Sequence, residues 1–155
     1  LFLWLCEDTI KSPMKVDKHR ILQHLQHEVY CRLGVSQTHG VGVFALRKIP
    51  KGINPLVSWL GHRELTFTKE DLKSVPAAVR KQMRLFCYYD SKQMQVPAAG
   101  LNTITFGMYV NHSKSPNLAL HAPGQFETLR TIQKDEELLM DYDLVFDAEH
   151  DFSKD

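Results

Sequence analysis

The sequence contains few cysteines, and their arrangement excludes two classes of small protein. Cys6, Cys31 and Cys87 lie far apart and form no Cys-x-x-Cys pair. An odd number at this spacing argues against a disulfide framework, and the missing pair argues against a structural zinc site. We therefore expect no bound metal, and this cysteine usage predicts a reducing intracellular compartment.

The sequence also lacks a large net charge and long apolar runs, which argues against two kinds of partner. The formal net charge is +1, so bulk electrostatics indicates neither a nucleic-acid site nor a membrane surface. The apolar residues 1–6 are far fewer than the roughly 20 that a membrane span requires, and no basic flank marks them as a secretory signal. A chain of 155 residues, 43% of them hydrophobic, fits one domain with its own core.

Residues 17–30 are predicted to form a helix. Their apolar side chains recur along one stripe, made by Ile21, Leu22, Leu25 and Val29. His24 and His27, followed by Glu28, would suggest a metal site, but the order H-x-x-H-E matches neither zinc-protease helix motif. Solvated or edge-packed histidines are the preferred interpretation.

The rest of the chain is predicted to be mainly β. Short apolar runs interrupted by Gly, Pro, Asn and Ser are typical of short strands in small sheets, and they occupy residues 30–35, 42–46, 55–60, 95–97, 103–110, 118–121, 125–132 and 138–142. A helical pattern over residues 69–86 interrupts them, with Thr68 and Asp71 as a capping pair and Pro76 as a break. The expected fold class is therefore mainly β with inserted helices and an N-terminal helix.

A glycine-containing loop precedes one of these strands. Gly40 and Gly42 allow the backbone to take a positive φ or to approach a ligand closely. A dinucleotide-binding loop would need a third glycine where Ala45 stands, and a helix where the pattern predicts a strand. The loop therefore does not indicate phosphate binding, and by itself it fits an ordinary β-turn.

Two polar segments lie further along the chain. Residues 111–117 read N-H-S-K-S-P-N and directly follow an apolar run. Side chains of this kind bond to nearby backbone and favour irregular structure, so a surface loop or a glycosylation sequon is an alternative interpretation. Residues 136–142 read E-E-L-L-M-D-Y, a charged turn followed by a short strand.

In this order, the three segments resemble those of the SET-domain family of protein lysine methyltransferases. The matching segments are residues 40–45, 111–117 and 136–142, and the resemblance covers about residues 31–147. It implies a SET fold, with small curled β-sheets around a C-terminal pseudoknot in which the last two segments cross. Residues 1–30 would form an N-terminal helical extension, and residues 148–155 an acidic, frayed tail.

The resemblance also implies a cofactor and roles for single residues. S-adenosyl-L-methionine would be held by His39, Gly40, Val41, Tyr109, Asn111, His112 and Phe146. Tyr142 matches the family's catalytic tyrosine. The substrate lysine would enter a channel lined by Tyr88, Tyr89, Phe106 and Met140, with Phe86 as a further candidate, although each aromatic residue also fits an ordinary core position.

The implied partner is a protein or peptide with a target lysine, such as a histone tail. The protein would be nuclear if a histone is the substrate, and otherwise cytoplasmic. No direct nucleic-acid site and no membrane contact are expected. The alternative is a catalytically silent SET-like module that binds protein or chromatin.

Three departures from the family pattern limit what the sequence says about the substrate. Asp135 stands where relatives often carry glycine. Met140 stands where many carry Phe or Tyr, so the sequence does not indicate how many methyl groups would be added. No cysteine-rich zinc segment follows Tyr142. The acidic tail either folds over the channel, with Phe146 or Phe152 on the cofactor and an attraction for basic peptides, or frays.

Overall fold

The computed structural model describes residues 18–58 and 63–145, and short strands dominate it. Within these residues lie two α-helices, α1 (Lys18–His27) and α2 (Ala77–Phe86). The strands are β1 (Cys31–Val35), β2 (Val41–Ala45), β3 (Glu64–Thr68), β4 (Tyr88–Tyr89), β5 (Gln93–Pro97), β6 (Asn111–His112), β7 (Leu118–Ala122), β8 (Gln125–Thr128) and β9 (Glu137–Met140). The predicted fold class, mainly β with inserted helices and an N-terminal helix, is confirmed.

The central sheet has four strands in the order β1-β2-β9-β6. β1 and β2 form an antiparallel hairpin, and its loop contains Gly40 at φ 51°, a left-handed conformation that glycine adopts without a steric penalty. β9 pairs antiparallel with β2, and β6 pairs parallel with β9. Two motifs far apart in sequence therefore become neighbours, as a pseudoknot requires, while its threading stays a prediction.

The main core lies against this sheet. Its fully buried side chains include Val43 of β2, Leu138 of β9, and Ile49 and Ile132, which form an isolated bridge with each other. Each burial contributes roughly 1.5 to 3 kcal/mol relative to an exposed side chain. The sheet that carries the polar motifs is therefore anchored on one side by a continuous apolar layer.

A second unit inserts between β2 and β6. It combines the sheet β3-β5-β4 with α2, and Met83, Cys87 and Met94 form its small buried cluster. This unit is the predicted helical insert, and it brings α2 to the same side of the molecule as the polar motifs.

Helix α1 confirms the predicted N-terminal helix, but it buries no side chain within the described residues. Leu25, on the predicted apolar stripe, is 61% exposed. The guanidinium of Arg47 joins the end of α1 to the domain, because it donates to the carbonyl of His27 at 2.7 Å and lies over the Tyr30 ring at 4.2 Å. In the described residues, neither helix has the length and apolar content needed to cross a bilayer.

The predicted helix over residues 69–86 begins later than expected. Thr68 and Asp71 do form the reciprocal backbone bonds of a capping pair, at 2.8 and 3.3 Å, but turns follow instead of a helix. The helix starts only after Pro76, because proline lacks an N–H and keeps the preceding residue out of the helical region.

Two predicted strands are wrong. In place of a strand over residues 103–110, one 3-10 turn ends at Thr103 (Leu101–Thr103) and a second spans Phe106–Tyr109. There the backbone of Gly107 packs so closely on Phe126 that an added Cβ would lie 2.8 Å from the ring. Residues 55–58 are irregular, since the Asn54 side chain accepts from the Leu56 N–H and turns the chain. The remainder of that predicted strand lies outside the described residues.

Candidate active site

The polar segment 111–117 is fastened to β9 at its beginning. Asn111 pairs with Leu139 and His112 with Met140 in parallel register. The N–H of Ser113 then donates to the carbonyl of Met140 at 2.9 Å. Residues that favour irregular structure locally therefore form a short strand, because β9 supplies the backbone partners.

Asn117 fastens the other end of the same segment. Its amide donates to the carbonyl of Glu137 at 2.7 Å, and its side-chain oxygen accepts from the N–H of Leu139 at 2.8 Å. The side chain is 2% exposed, so these bonds form away from water and losing them is costly. Sequence reasoning assigned no role to Asn117, although it ends the motif.

Asn111 connects the motif to the glycine loop. Its Nδ2 atom donates to the carbonyls of His39 at 3.0 Å and Val41 at 3.3 Å, and to Oε1 of Glu137 at 2.9 Å. The resemblance assigns Asn111 to cofactor binding. Asn111 thus also holds in place the glycine loop, which the resemblance assigns to the same cofactor.

Glu137 completes this connection and was not among the predicted site residues. Its second carboxylate oxygen accepts from the hydroxyl of Ser36 at 3.0 Å, and the Ser36 oxygen accepts from the N–H of Thr38 at 2.9 Å. A Cβ at Gly42 would lie 2.2 Å from Oε1 of Glu137. Glycine at position 42 is therefore required by this half-buried carboxylate.

Tyr142 lies just beyond β9, beside the polar segment. Its hydroxyl donates to the carbonyl of Val110 at 2.6 Å, and its N–H donates to Nδ1 of His112 at 3.1 Å. The His112 and Tyr142 rings lie 5.3 Å apart. Burial raises the pKa of Tyr142 to about 12, so the phenol is neutral at physiological pH and acts as a hydrogen-bonding group instead of a base.

Charged side chains flank the tyrosine. The ammonium of Lys114 pairs with Asp143 and lies 3.5 Å from Asp141. The hydrogen bond to Asp143 is the main cause that raises the pKa of Lys114. Ligand atoms of His112, Asp141 and Asp143 lie within 4.8 Å of one another, but Lys114 already supplies a cation to both carboxylates.

One cleft of about 1370 Å³ brings most predicted site residues together. Its lining includes His39, Gly40, Val41, Tyr88, Tyr89, Tyr109, Asn111, His112, Met140 and Tyr142. Phe106 is 41% exposed and is not among the lining residues. Phe146 and Phe152 lie outside the described residues, as does the rest of the acidic tail.

Aromatic residues from two elements form part of this cleft. Phe86, at the end of α2, meets Tyr109 edge to face with ring centroids 5.6 Å apart. Cys87 also lines the cleft, but burial raises the pKa of its thiol to about 11. The thiol therefore stays protonated and is a poor candidate for a nucleophile.

Comparisons with known proteins find one matching family and several similar solved structures. A family model described as the SET domain matches residues 40–143. Among solved structures, a Plasmodium falciparum protein named as a candidate histone methyltransferase is 22% identical with a TM-score of 0.47, covering 81% of this chain and 97% of that one. A humanized Polycomb Repressive Complex 2 mutant from Chaetomium thermophilum, bound to an inhibitor, is 22% identical with a TM-score of 0.48, covering 76% of this chain and 15% of that one.

No curated protein matches this chain. The family match nevertheless contains all three motifs that line the cleft, from Gly40 through Asn111 to Tyr142, and it spans more than half of the sequence. This chain belongs to the SET-domain family.

Proposed function

We propose that this chain transfers a methyl group from S-adenosyl-L-methionine to the ε-amine of a lysine in a protein, with Tyr142 as its catalytic residue. The observation that carries the proposal is the convergence of the glycine loop, the Asn111–His112 pair and Tyr142 on one cleft within a SET-domain sequence.

The residues present fit the cofactor. The cleft of about 1370 Å³ exceeds the roughly 300 to 1,000 Å³ of a typical ligand pocket, which leaves room for a cofactor and a peptide side chain. The backbone of Gly40 is open, since no heavy atom lies within 4 Å of the position of a Cβ. His39, Gly40, Val41, Asn111 and His112 are the residues that would hold the cofactor, with Tyr109 beside them.

When bound, this cofactor supplies an electrophilic methyl group on a sulfonium. The protein's task is then to present a neutral lysine amine in line with that methyl, within roughly 3 to 3.5 Å. Tyr142 is suited to orient the lysine amine and not to deprotonate it, because its phenol is neutral and its hydroxyl is held by the Val110 carbonyl at 2.6 Å. A channel of low dielectric lowers the pKa of the incoming amine and favours its neutral form.

The lining of the cleft suits the apolar stem of lysine. Tyr88 and Tyr89 belong to β4 and line the cleft together with Phe86 and Tyr109. Met140 is 5% exposed and also belongs to this lining. Its side chain carries no hydroxyl, and so it provides no donor that would hold a water beside the amine.

The decisive experiment separates cofactor binding from transfer. Isothermal titration of S-adenosylmethionine is expected to show saturable binding to both the wild type and Tyr142→Phe, since the phenol is not required to hold the loop. Transfer of a radiolabelled methyl to histones or to a cell lysate is expected to fall roughly 100-fold or more in Tyr142→Phe, as when one preorganised donor is removed from an active site.

Tyr30→Phe is the matched control, because its ring lies under Arg47 near α1 and not in the cleft. It should leave both binding and transfer unchanged. Absence of saturable cofactor binding to the wild type would refute the proposal. Saturable binding without transfer to any protein or peptide would instead support the silent SET-like module.

A further inference from the structure

One wall of the cleft that contains Tyr142 is basic. Helix α2 includes Arg80, Lys81 and Arg84 and no acidic residue, and all three cations line the cleft. Of the described residues that line it, Glu64 is the single carboxylate. The permanent charge of the cleft is therefore positive, in a protein whose formal net charge is only +1.

These cations have no carboxylate partner among residues 18–58 and 63–145. Within the described part of the chain, no hydrogen bond or ion pair engages Lys81 or Arg84, and both are exposed. Arg80 donates to backbone carbonyls, the shortest being Val75 at 2.6 Å, which fixes its position without cancelling its charge.

The carboxylate of Glu64 offsets only part of the charge of this wall. One of its oxygens is buried, and its charge acts on Cys87, where it adds to the burial that raises the pKa of the thiol. Among the described residues, the cleft therefore has three cationic side chains on α2 against one carboxylate.

The basic character continues on the other side of α2. A second groove of about 500 Å³ is lined by Arg80 and Arg84 together with Lys69 and Lys73, and Asp90 is its carboxylate among the described residues. Lys73 is paired with Glu70 at 2.5 Å, so the cations that remain in this groove are Lys69 and the two arginines of α2.

From this wall we infer that the site prefers a lysine flanked by Asp or Glu, whose carboxylates contact Lys81 and Arg84, over a lysine within a basic segment. The inference rests on the proposed function and names the class of substrate that this cleft accepts. Helix α2 has ten residues and is therefore about 15 Å long, which corresponds to roughly four residues of an extended peptide.

An acidic peptide suits this wall better than nucleic acid does. The basic wall is one helix with three cations, whereas sequence-independent binding to nucleic acid draws its affinity from neutralising many phosphates. The cations also share their cleft with the aromatic residues Tyr88 and Tyr109 and with the candidate catalytic Tyr142. Charge complementarity at such a rim selects partners and speeds their encounter.

The test compares three peptides of equal length with one central lysine, flanked on both sides by Glu, by Gln or by Arg. Binding is measured by fluorescence anisotropy of labelled peptide with the full chain saturated with S-adenosylhomocysteine, and kcat/KM is measured by methyl transfer. The Glu-flanked peptide should bind roughly five- to tenfold more tightly than the Gln-flanked one, as two exposed ion pairs allow. The difference should shrink as salt increases.

Reversing the charge of the wall should reverse the preference. We expect the Arg-flanked peptide to bind most tightly to the double variant Lys81→Glu with Arg84→Glu. We expect the three peptides to bind equally well to the double variant Lys81→Gln with Arg84→Gln. Lys48→Glu with Lys51→Glu is the matched control, because both lysines are exposed and neither lines the cleft. Circular dichroism melting shows whether each variant is folded.

Each outcome decides the inference. It is overturned if the wild type binds the Arg-flanked peptide most tightly, or if the reversed α2 leaves the peptide ranking unchanged. Binding of a labelled oligonucleotide that is lost on reversal, with an unchanged peptide ranking, would assign the wall to nucleic acid. Failure of the proposed function looks different, since no peptide is then methylated while the binding measurement still tests the charge preference.

Discussion

The hydroxyl of Tyr142 donates a 2.6 Å hydrogen bond to the carbonyl of Val110. This contact joins the segment that follows β9 to the residue that precedes β6, and so it spans the two motifs of the cleft. Burial raises the pKa of Tyr142 to about 12 from its ordinary value of 10.0.

This raised pKa predicts a loss of stability at alkaline pH. The unfolded chain releases the phenolic proton near pH 10, whereas the folded chain retains it up to about 12. The stabilising contribution is therefore fully present below pH 10 and is lost as the pH rises through 12, by roughly 2 to 3 kcal/mol. Urea unfolding of wild type and Tyr142→Phe at each pH measures it, since the difference between them should be constant below pH 10 and shrink above. A constant difference up to pH 12 would contradict the prediction.

Gly42→Ala is predicted to weaken both the fold and cofactor binding. The new Cβ would lie 2.2 Å from Oε1 of Glu137 and 3.1 Å from Nδ2 of Asn111, so the carboxylate must leave the bond that Asn111 makes to it. We expect a destabilisation of about 1 to 3 kcal/mol in thermal melting, and a raised Kd in cofactor titration. Gly52→Ala is the control, because it is strained by φ 82° but meets no atom within 4 Å. It should lower stability without changing the Kd.

Asn117→Ala is predicted to destabilise the protein by about 2 kcal/mol or more, because two backbone groups that bond to this buried side chain lose their partner, at roughly 1 to 3 kcal/mol each. The affected groups are the Glu137 carbonyl and the Leu139 N–H. Chemical denaturation measures the change, and Ser115→Ala, at an exposed position of the same segment, should cost little. A cost below about 1 kcal/mol, typical of one ordinary hydrogen bond, would show that the two segments are not fastened through Asn117.

Lys114→Met is predicted to lower kcat severalfold with little change in cofactor affinity. Lys114 pairs with Asp143 and Asp141, on either side of Tyr142, so its loss removes the cation that these two carboxylates share and loosens the position of the tyrosine. Lys114→Arg should restore most of the activity because it retains the ion pairs. Lys134→Met, an exposed lysine outside the cleft, should have no effect. An equal loss in the methionine and arginine variants would exclude a role for the charge.

Asp135 has a positive φ of 64°, which explains why relatives place glycine there. An L-residue in this conformation carries a cost of roughly 1 to 2 kcal/mol that glycine avoids. We therefore expect Asp135→Gly to be more stable than Asp135→Ala by about 1 kcal/mol. Both lose the 3.1 Å ion pair with Arg32, so the comparison isolates the backbone. Differential scanning calorimetry measures the difference, and methyl transfer should be the same in both variants.

Regular local patterns were sufficient to predict much of the fold. Short apolar runs bounded by turn residues predicted β1, β2, β7 and β8, and Thr68 forms the expected bonds with Asp71. The same reasoning failed at residues 103–110, where a 3-10 turn replaces the predicted strand and the Gly107 backbone packs closely against the Phe126 ring. It also missed β3, whose five backbone partners lie in β5, some thirty residues on. Local propensity carries no information about such partners.

The sequence by itself determined the family, since the three motifs in order identify it and the SET-domain match covers them. Only the tertiary structure decided how the motifs work together. Asn111 reaches His39 and Glu137 across 72 and 26 positions of sequence, and α2 brings its cations into the cleft of Tyr142. These contacts depend on how the strands pair and how the insert packs. Both are set by interactions among many residues that are distant in sequence. Short sequence segments therefore identified the site, whereas the contacts among its residues and the charge of its cleft follow from the tertiary structure.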